Sequence, residues 1–127
     1  MTQQLEAITT AALSLGLEAA SRRHETIAAN IANAATEGYV PVRLSFEDRL
    51  AEARQTLRDK GSVDAFALAG VRMQVEPATD AQGRPVKVQV DQEMAEMARN
   101  AVQYQALTQG LSRHLSILAA AAADGKK

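Results

Sequence analysis

The side chains that could do chemistry in this chain are few, and their spacing does not join them into a site. His24 and His114 are the two histidines, and neither has a second histidine or a carboxylate at ligand spacing on its own helical face. Glu93 and Glu96 are acidic groups without an accompanying nucleophile. The sequence has no cysteine, glycine-rich phosphate loop or zinc signature. It therefore predicts no enzyme, no metal site and no cofactor.

A pair of asparagines is the more informative polar feature. Asn30 and Asn33 lie one helical turn apart in an alanine-rich stretch that ends at Gly38 and Tyr39. One interpretation is a helix C-terminus, where asparagine is tolerated near the cap. The other is that the amides fix the register inside a helix–helix interface, as a buried polar residue does in coiled coils. The residues alone leave both interpretations open.

Composition indicates what kind of elements must position these residues. The chain has 127 residues, enough for a single domain over residues 1–127 with a modest core. Hydrophobic residues make up 46% of it, but 26 residues are alanine and few are aromatic. Alanine has the highest helix propensity, so long helices with thin contacts are expected. The net charge of -1 gives no basic surface for a nucleic acid or an acidic membrane.

Apolar residues at alternating steps of four and three predict two long helices, over residues 5–35 and 90–123. The first predicted seam consists of Leu13, Leu17, Ala20, His24, Ile27, Ile31 and Ala34. The second consists of Val90, Met94, Met97, Ala101, Tyr104, Thr108, Leu111, Leu115 and Leu118. Two such seams at opposite ends of one chain pair most naturally with each other. The predicted fold is mainly α, with the terminal helices paired as an antiparallel coiled coil.

The middle of the chain, residues 36–89, has a different pattern. Ser45 is a candidate N-cap for a short helix that ends near Gly61. Further on, residues 71–75 and 86–90 alternate apolar and polar side chains, and residues 80–85 between them have the composition of a turn. The sequence therefore predicts a small β-hairpin here, which needs support from the helices or from a neighbouring subunit.

The two ends of the chain carry a family resemblance. The segments Ala29-Asn30-Ile31-Ala32-Asn33 and Thr36-Glu37-Gly38-Tyr39 resemble the N-terminal signature of bacterial flagellar rod, hook and hook-associated proteins. The C-terminal segment from Val90 to Asn100, with Tyr104-Gln105-Ala106-Leu107 beyond it, is most similar to the proximal members of the flagellar basal-body rod family. Two positions depart from the pattern: Ala35 stands where the family often has Asp, and Glu37 where it often has Pro.

The resemblance implies a structural role. Such proteins pair their terminal helices and stack against copies of themselves and related rod subunits, with a membrane-ring adaptor and the export gate as further partners. It implies a periplasmic rod location and torque transmission. The signature residues implied for assembly are Asn30, Ile31, Asn33, Gly38, Tyr39, Glu93, Met94, Met97, Asn100 and Tyr104.

The resemblance also bears on export. The N-terminus lacks the positively charged region of a cleaved secretory signal, and no stretch is long and apolar enough to span a bilayer. Rod subunits are exported by the flagellar type III apparatus, and Phe46 and Leu50 are similar to the spaced apolar motif that docks on its gate. The alternative function is a small cytoplasmic helical hairpin that acts as an adaptor or export chaperone, which gives no reason for the Asn/Gly-Tyr segment.

Overall fold

The computed structural model describes residues 2–62, 68 and 71–126, with the backbone alone at residues 2 and 47–51. The described elements are, in chain order, α1 (Thr2–Ala32), β1 (Val42–Ser45), α2 (Glu47–Lys60), β2 (Gln74–Pro77) and α3 (Val90–Asp124). The described chain is mainly helical and α1 packs against α3, which confirms the predicted fold class. Helix α1 ends at Ala32, three residues before the predicted end, and the chain then turns through residues 33–38.

Helices α1 and α3 run antiparallel. Residues that rise in number along α1 contact residues that fall in number along α3. The contacting pairs are Thr10 with His114, Gly16 with Leu107, Ala20 with Asn100, and Asn30 with Glu93. These contacts extend over some twenty residues of each helix, so the pair forms one long, narrow body.

Glycines at the middle of this pair allow the helices to approach closely. The Leu107 side chain lies over Gly16, and a Cβ atom at Gly16 would stand 3.2 Å and 3.3 Å from its two Cδ atoms. In the reciprocal contact, the Leu13 side chain lies over Gly110, where a Cβ atom would stand 3.6 Å from Leu13 Cδ2. Each helix thus receives a leucine of its partner at a position without a side chain.

The two glycines should respond differently to alanine. Gly110→Ala should raise the free energy of unfolding by up to about 1 kcal/mol, because alanine is the better helix former and the new methyl group meets only ordinary contact. Gly16→Ala should gain less, since Leu107 must move to admit the methyl group. Urea unfolding of both variants measures the difference. Equal stabilisation at the two sites would contradict the tight contact at Gly16.

The buried face of α1 follows much of its predicted seam, whereas the buried face of α3 is displaced from its own. In the first seam Ala20 and Ile27 are buried and Leu13, Leu17 and Ile31 are half-buried, whereas His24 is exposed, as is Ala34 beyond the end of α1. The predicted α3 seam is largely exposed, at Val90, Met94, Ala101, Tyr104, Thr108 and Leu115. Small side chains lie on several sides of both helices, so the apolar period does not single out one face. The polar contacts of Asn30 and Asn100 select it instead.

The predicted strand pairing is wrong in detail, although a small antiparallel sheet is present. Strand β2 pairs with β1, with Val42 opposite Pro77 and Ser45 opposite Gln74. Residues 86–89 form no strand, and a single bridge joins Thr79 to Pro85 around the predicted turn. The Asp80 carboxylate closes that turn by accepting hydrogen bonds from the backbone of Arg84 and Gln82, and the Arg84 contact contributes most to lowering the Asp80 pKa.

The short helix α2 has no side-chain cap at its N-terminus, and a backbone hydrogen bond closes its C-terminus. Ser45 is the last residue of β1, so the N-cap position falls on Phe46, which makes no capping hydrogen bond with its side chain; the predicted Ser45 cap is wrong. The helix ends at Lys60, and Gly61 caps it, as predicted, with φ 67° and its N–H bonded to the Leu57 carbonyl. A left-handed residue of this kind closes many helices.

Little apolar side-chain volume is buried. The buried apolar residues among those described are Ala19, Ala20, Ile27, Val71 and Ala78. Pro41, Asn30 and Glu93 are the largest fully buried side chains there, so polar groups occupy much of the interior. In the part of the chain that the structure describes, no helix has the length and apolar character needed to cross a membrane.

Candidate functional site

Asn30 lies where α1, β1 and α3 meet, two residues before the end of α1. Its side chain is fully buried. The amide Oδ1 accepts hydrogen bonds from the Val42 N–H at 2.9 Å and the Tyr39 hydroxyl at 3.0 Å. The Nδ2 group donates to the Val42 carbonyl at 2.9 Å and to Glu93 Oε2 at 3.2 Å. The amide therefore uses two donors and two acceptor positions, which is its full capacity.

The contact with Val42 resembles a strand pairing made by a side chain. Asn30 meets both the N–H and the carbonyl of Val42, the two groups that a neighbouring strand would use. This arrangement also sets the orientation of the amide, because the Val42 N–H needs an acceptor opposite it and its carbonyl needs a donor. Asn30 thereby fixes the start of β1 against the end of α1.

Glu93 brings α3 into the same junction. The carboxylate is 2% exposed, and its Oε2 accepts the hydrogen bond from Asn30 Nδ2. Its Oε1 lies 3.1 Å from a guanidinium nitrogen of Arg43, with which it forms an ion pair. Arg43 follows Val42 in β1, and its own side chain is 48% exposed. A buried charge is costly unless it is paired and hydrogen-bonded, and this carboxylate has both kinds of partner. We call Asn30, Tyr39, Val42, Arg43 and Glu93 the polar junction.

The exit from α1 is shaped by a second asparagine. Asn33 Nδ2 donates to the Ala29 carbonyl one turn back, and the Asn33 carbonyl accepts the Thr36 N–H at 2.9 Å. Gly38 then adopts φ 75°, a left-handed conformation that glycine takes without a Cβ penalty. Tyr39 follows, and its hydroxyl returns to Asn30. Ala35 and Glu37, the two departures from the rod signature, are exposed in this turn.

Asn100 makes a separate polar contact, two helical turns from Glu93 along α3. Its side chain is 4% exposed, and Nδ2 donates to the Ala20 carbonyl of α1 at 2.7 Å. Among the described residues, its Oδ1 has no hydrogen-bond partner. The two helices are therefore connected by polar contacts at two levels, Asn30 with Glu93 and Ala20 with Asn100.

The structure joins some of the predicted signature residues and separates others. Asn30, Tyr39 and Glu93 meet in the polar junction, whereas Asn33 and Gly38 shape the turn beside it. Ile31 and Met97 are half-buried. Met94 and Tyr104 lie on the exposed side of α3. Phe46 is half-buried with the Arg23 guanidinium 5.9 Å from its ring centre, and the Leu50 side chain lies outside the described residues.

Sequence reasoning missed Val42 and Arg43 as members of the site. Strand β1 has four residues, too few to establish an alternating pattern, and its partner is far along the chain. The available signal was Arg43, a basic residue soon after the Gly-Tyr turn that could balance an acidic residue on the second helix. That signal does not identify which of several acids it meets.

The described residues offer no arrangement for catalysis by a metal. No group of three histidine, aspartate or glutamate side chains is placed to hold an ion within the described ranges. His114 Nε2 lies 3.2 Å from the Thr10 hydroxyl, and His24 is exposed. The side chains of the polar junction form their hydrogen bonds with the chain's own backbone and side chains. The junction therefore holds structural elements in place.

The N-terminal helix and its exit turn carry the comparison with known proteins. Residues 11–39 match the family model described as flagella basal body rod protein. The match spans Asn30, Asn33, Gly38 and Tyr39, and so includes the α1 side of the polar junction. Over this segment the chain is therefore similar to a family of structural rod proteins of the flagellar basal body. A comparison with curated proteins gives no match.

Proposed function

We propose that this chain is a structural subunit of the proximal rod of the bacterial flagellar basal body, most like the proximal rod protein FlgB. It polymerises through its terminal helices with copies of itself and related rod subunits. In this role it links the membrane ring and export gate to the distal rod and transmits torque. The observation that carries the proposal is the rod-family match over residues 11–39.

The shape of the subunit supports polymerisation through the helices. The paired helices form a narrow body, and α3 exposes large apolar side chains along much of its length. These are Val90, Met94, Val102, Tyr104, Leu115 and Ile117, each at least 39% exposed. Exposed apolar side chains in such numbers are typical of surfaces that other subunits cover. The buried polar contacts hold the two helices in one register, which keeps that surface in a fixed shape.

Met94 provides a test of assembly that leaves the fold of the subunit intact. Because Met94 is 60% exposed, Met94→Asp should change the free energy of unfolding by no more than about 0.5 kcal/mol. We expect the same change to abolish swimming and to remove the tagged chain from purified basal bodies, because an assembled rod would bury the new charge.

Ala95→Asp is the matched control, since Ala95 is exposed on another face of α3. Swimming assays and basal-body purification from a deletion strain carrying each variant provide the measurements. If deleting the gene leaves cells fully motile, or if the wild-type chain stays in the cytosol, the rod assignment is wrong and the adaptor or chaperone becomes the better hypothesis.

A second proposal concerns export. We infer that the chain passes through the flagellar type III apparatus and that Phe46 and Leu50 contact its gate. Replacing both with alanine should reduce secretion of the subunit several-fold. Leu57→Ala is the control, because Leu57 is half exposed on the same helix. Immunoblotting of the secreted fraction measures the effect, and undiminished secretion of the Phe46/Leu50 variant rejects the motif.

A further inference from the structure

A polar groove of about 260 Å³ lies where α1, β1 and α3 border one another. Helix α1 contributes Arg23 and Thr26 to its lining, β1 contributes Arg43 and Leu44, and α3 contributes Glu96. The volume equals that of about nine water molecules and lies below the roughly 300–1,000 Å³ of sites for drug-sized ligands. The groove therefore matches one or two amino-acid residues better than a drug-sized molecule.

Two guanidinium groups of the groove are held in place by contacts outside it. Arg23 Cζ lies 5.9 Å from the centre of the Phe46 ring, a contact that restricts the side chain without using a hydrogen-bond acceptor. Arg43 forms its ion pair with Glu93 through one nitrogen, and its side chain is 48% exposed. Because Glu93 itself is buried, a molecule in the groove meets the other N–H donors of Arg43 and not that carboxylate.

The charges in and around the groove favour an anion. Its charged side chains are Arg23, Arg43 and Glu96, and their ion-pair partners among the described side chains are Glu93 and Arg99. These three cations and two anions leave one positive charge. Glu96 lines the groove, but a nitrogen of Arg99 lies 3.4 Å from its carboxylate. One carboxylate therefore balances the cluster, whereas a phosphate dianion would overcompensate it.

Leu44 adds backbone hydrogen-bonding groups to the groove. Pro41, just before β1, accepts a hydrogen bond from the N–H of Ala78, just after β2, so the antiparallel ladder uses every second residue from Pro41 onward. The backbone groups of Val42 and Leu44 therefore point to the other edge of β1. The Asn30 amide occupies that edge at Val42, and among the described residues none hydrogen-bonds to it at Leu44.

We propose that this groove binds an extended acidic segment of a partner protein. A peptide group of the segment pairs with the N–H and carbonyl of Leu44, as the Asn30 amide pairs with Val42. A glutamate or aspartate carboxylate of the segment lies between Arg23 and Arg43. Backbone pairing supplies affinity, and the two guanidinium groups select the acidic side chain. The inference goes beyond the proposed rod role, since it depends on the groove alone.

A titration with model peptides tests this recognition. The probe is an acetylated and amidated pentapeptide, Val-Thr-Glu-Val-Thr, and its control has Gln in place of Glu. The ¹⁵N-labelled full chain reports through the backbone amide signal of Leu44 and the Nε–H signals of Arg23 and Arg43. We expect saturable shifts of all three signals with the acidic peptide and at least about fivefold weaker binding of the control. Equal affinity for the two peptides, or equal shifts at the exposed Arg54 and Arg58, would overturn the proposal.

Further titrations distinguish a peptide from other sources of the anion. Sodium acetate and sodium phosphate at the same concentrations should move the arginine signals less than the acidic peptide does and leave the Leu44 signal unchanged. If either salt reproduces all three shifts, the groove is a site for a free anion. If a higher protein concentration alone reproduces them, a second copy of the chain fills the groove. Each of these two results contradicts the proposal.

Charge variants should change the affinity for the acidic peptide in opposite directions. Arg23→Gln removes a cation of the groove and should weaken binding at least about fivefold. Glu96→Gln removes its anion and should strengthen binding about two- to fivefold. Arg22→Gln is the matched control, with binding within about twofold of wild type, because Arg22 is exposed, pairs with Glu18 and lies outside the groove lining.

The Glu96→Gln variant keeps the test decisive even if Arg23→Gln disturbs the fold, since a damaged fold does not strengthen binding. Unchanged or weaker binding of the acidic peptide by Glu96→Gln would show that the groove does not select an anion. These measurements use the purified chain, so their failure leaves the rod assignment intact. Absence of the chain from basal bodies, in turn, leaves the groove proposal intact.

Discussion

Replacing Asn30 with alanine should lower the free energy of unfolding by about 4 kcal/mol, the largest effect expected for any single residue of this chain. The substitution removes four hydrogen bonds, two to the Val42 backbone, one to the Tyr39 hydroxyl and one to the Glu93 carboxylate. Each of these hydrogen bonds contributes a net stability of about 1 kcal/mol. The partner groups that remain at this buried position have no water to replace the lost amide. The measurement is urea unfolding followed by circular dichroism.

Asn33→Ala is the matched control because it removes the same side chain one helical turn away. Asn33 is half-buried, and its amide bonds to the Ala29 carbonyl and the Thr36 hydroxyl of its own turn. The expected loss is about 0.5–1 kcal/mol. Similar losses at the two positions would show that the polar junction contributes no more than a local helix-end contact does.

Replacing Arg43 with alanine should lower the free energy of unfolding by about 2–3 kcal/mol. The change removes the cation beside the Glu93 carboxylate, which is 2% exposed in the folded protein, and leaves the Asn30 amide as its remaining partner in the polar junction. The loss falls below the full cost of breaking a buried ion pair because the Arg43 side chain is itself half exposed. Arg22→Ala is the control: its pair with Glu18 is exposed on both sides, so the expected loss is below about 0.5 kcal/mol.

A double-mutant cycle separates the loss of the ion pair from the cost of the unpaired charge. Glu93→Gln removes the buried charge while it preserves the shape of the side chain. The Arg43→Ala/Glu93→Gln variant should therefore be more stable than Arg43→Ala alone. If Glu93→Gln lowers the free energy of unfolding of the Arg43→Ala variant by as much as it lowers that of the wild type, the two side chains are not coupled. The account of the polar junction is then wrong.

These two predictions concern one mechanism, the fixing of three elements by buried polar contacts in a chain with little buried apolar volume. The buried apolar side chains among the described residues are mostly alanine, so packing alone specifies the register weakly. Hydrogen bonds are directional, and a shift of one residue along α3, which turns each side chain by about 100°, would take Glu93 away from Asn30 and Arg43. Asn30 and Glu93 thus supply the register that the thin core does not, and the proposed rod role requires subunits with one fixed register.

The long helices could be predicted from sequence because their cause is local. Alanine-rich segments favour helix wherever they lie, and the predicted second helix, 90–123, differs from α3 by one residue. The left-handed glycines at 38 and 61 are also local, since a positive φ is a property of one residue and its neighbours. The spacing of Asn30 and Asn33 predicts a polar pair beside a helix end, but the sequence does not say which amide is buried.

The tertiary structure decided the features that depend on contacts between residues far apart in the sequence. Strand β1 pairs with β2 rather than β2 with residues 86–90, because pairing depends on which segments the two helices bring together. It also decided the buried face of α3, since small apolar side chains on adjacent faces make the apolar period of that helix ambiguous. The sequence by itself determined the two long helices, the left-handed glycines at 38 and 61, and a candidate polar pair. Only the fold determined that Asn30 meets Val42 and Glu93, because hydrogen bonds between residues far apart in sequence leave no periodic pattern in it.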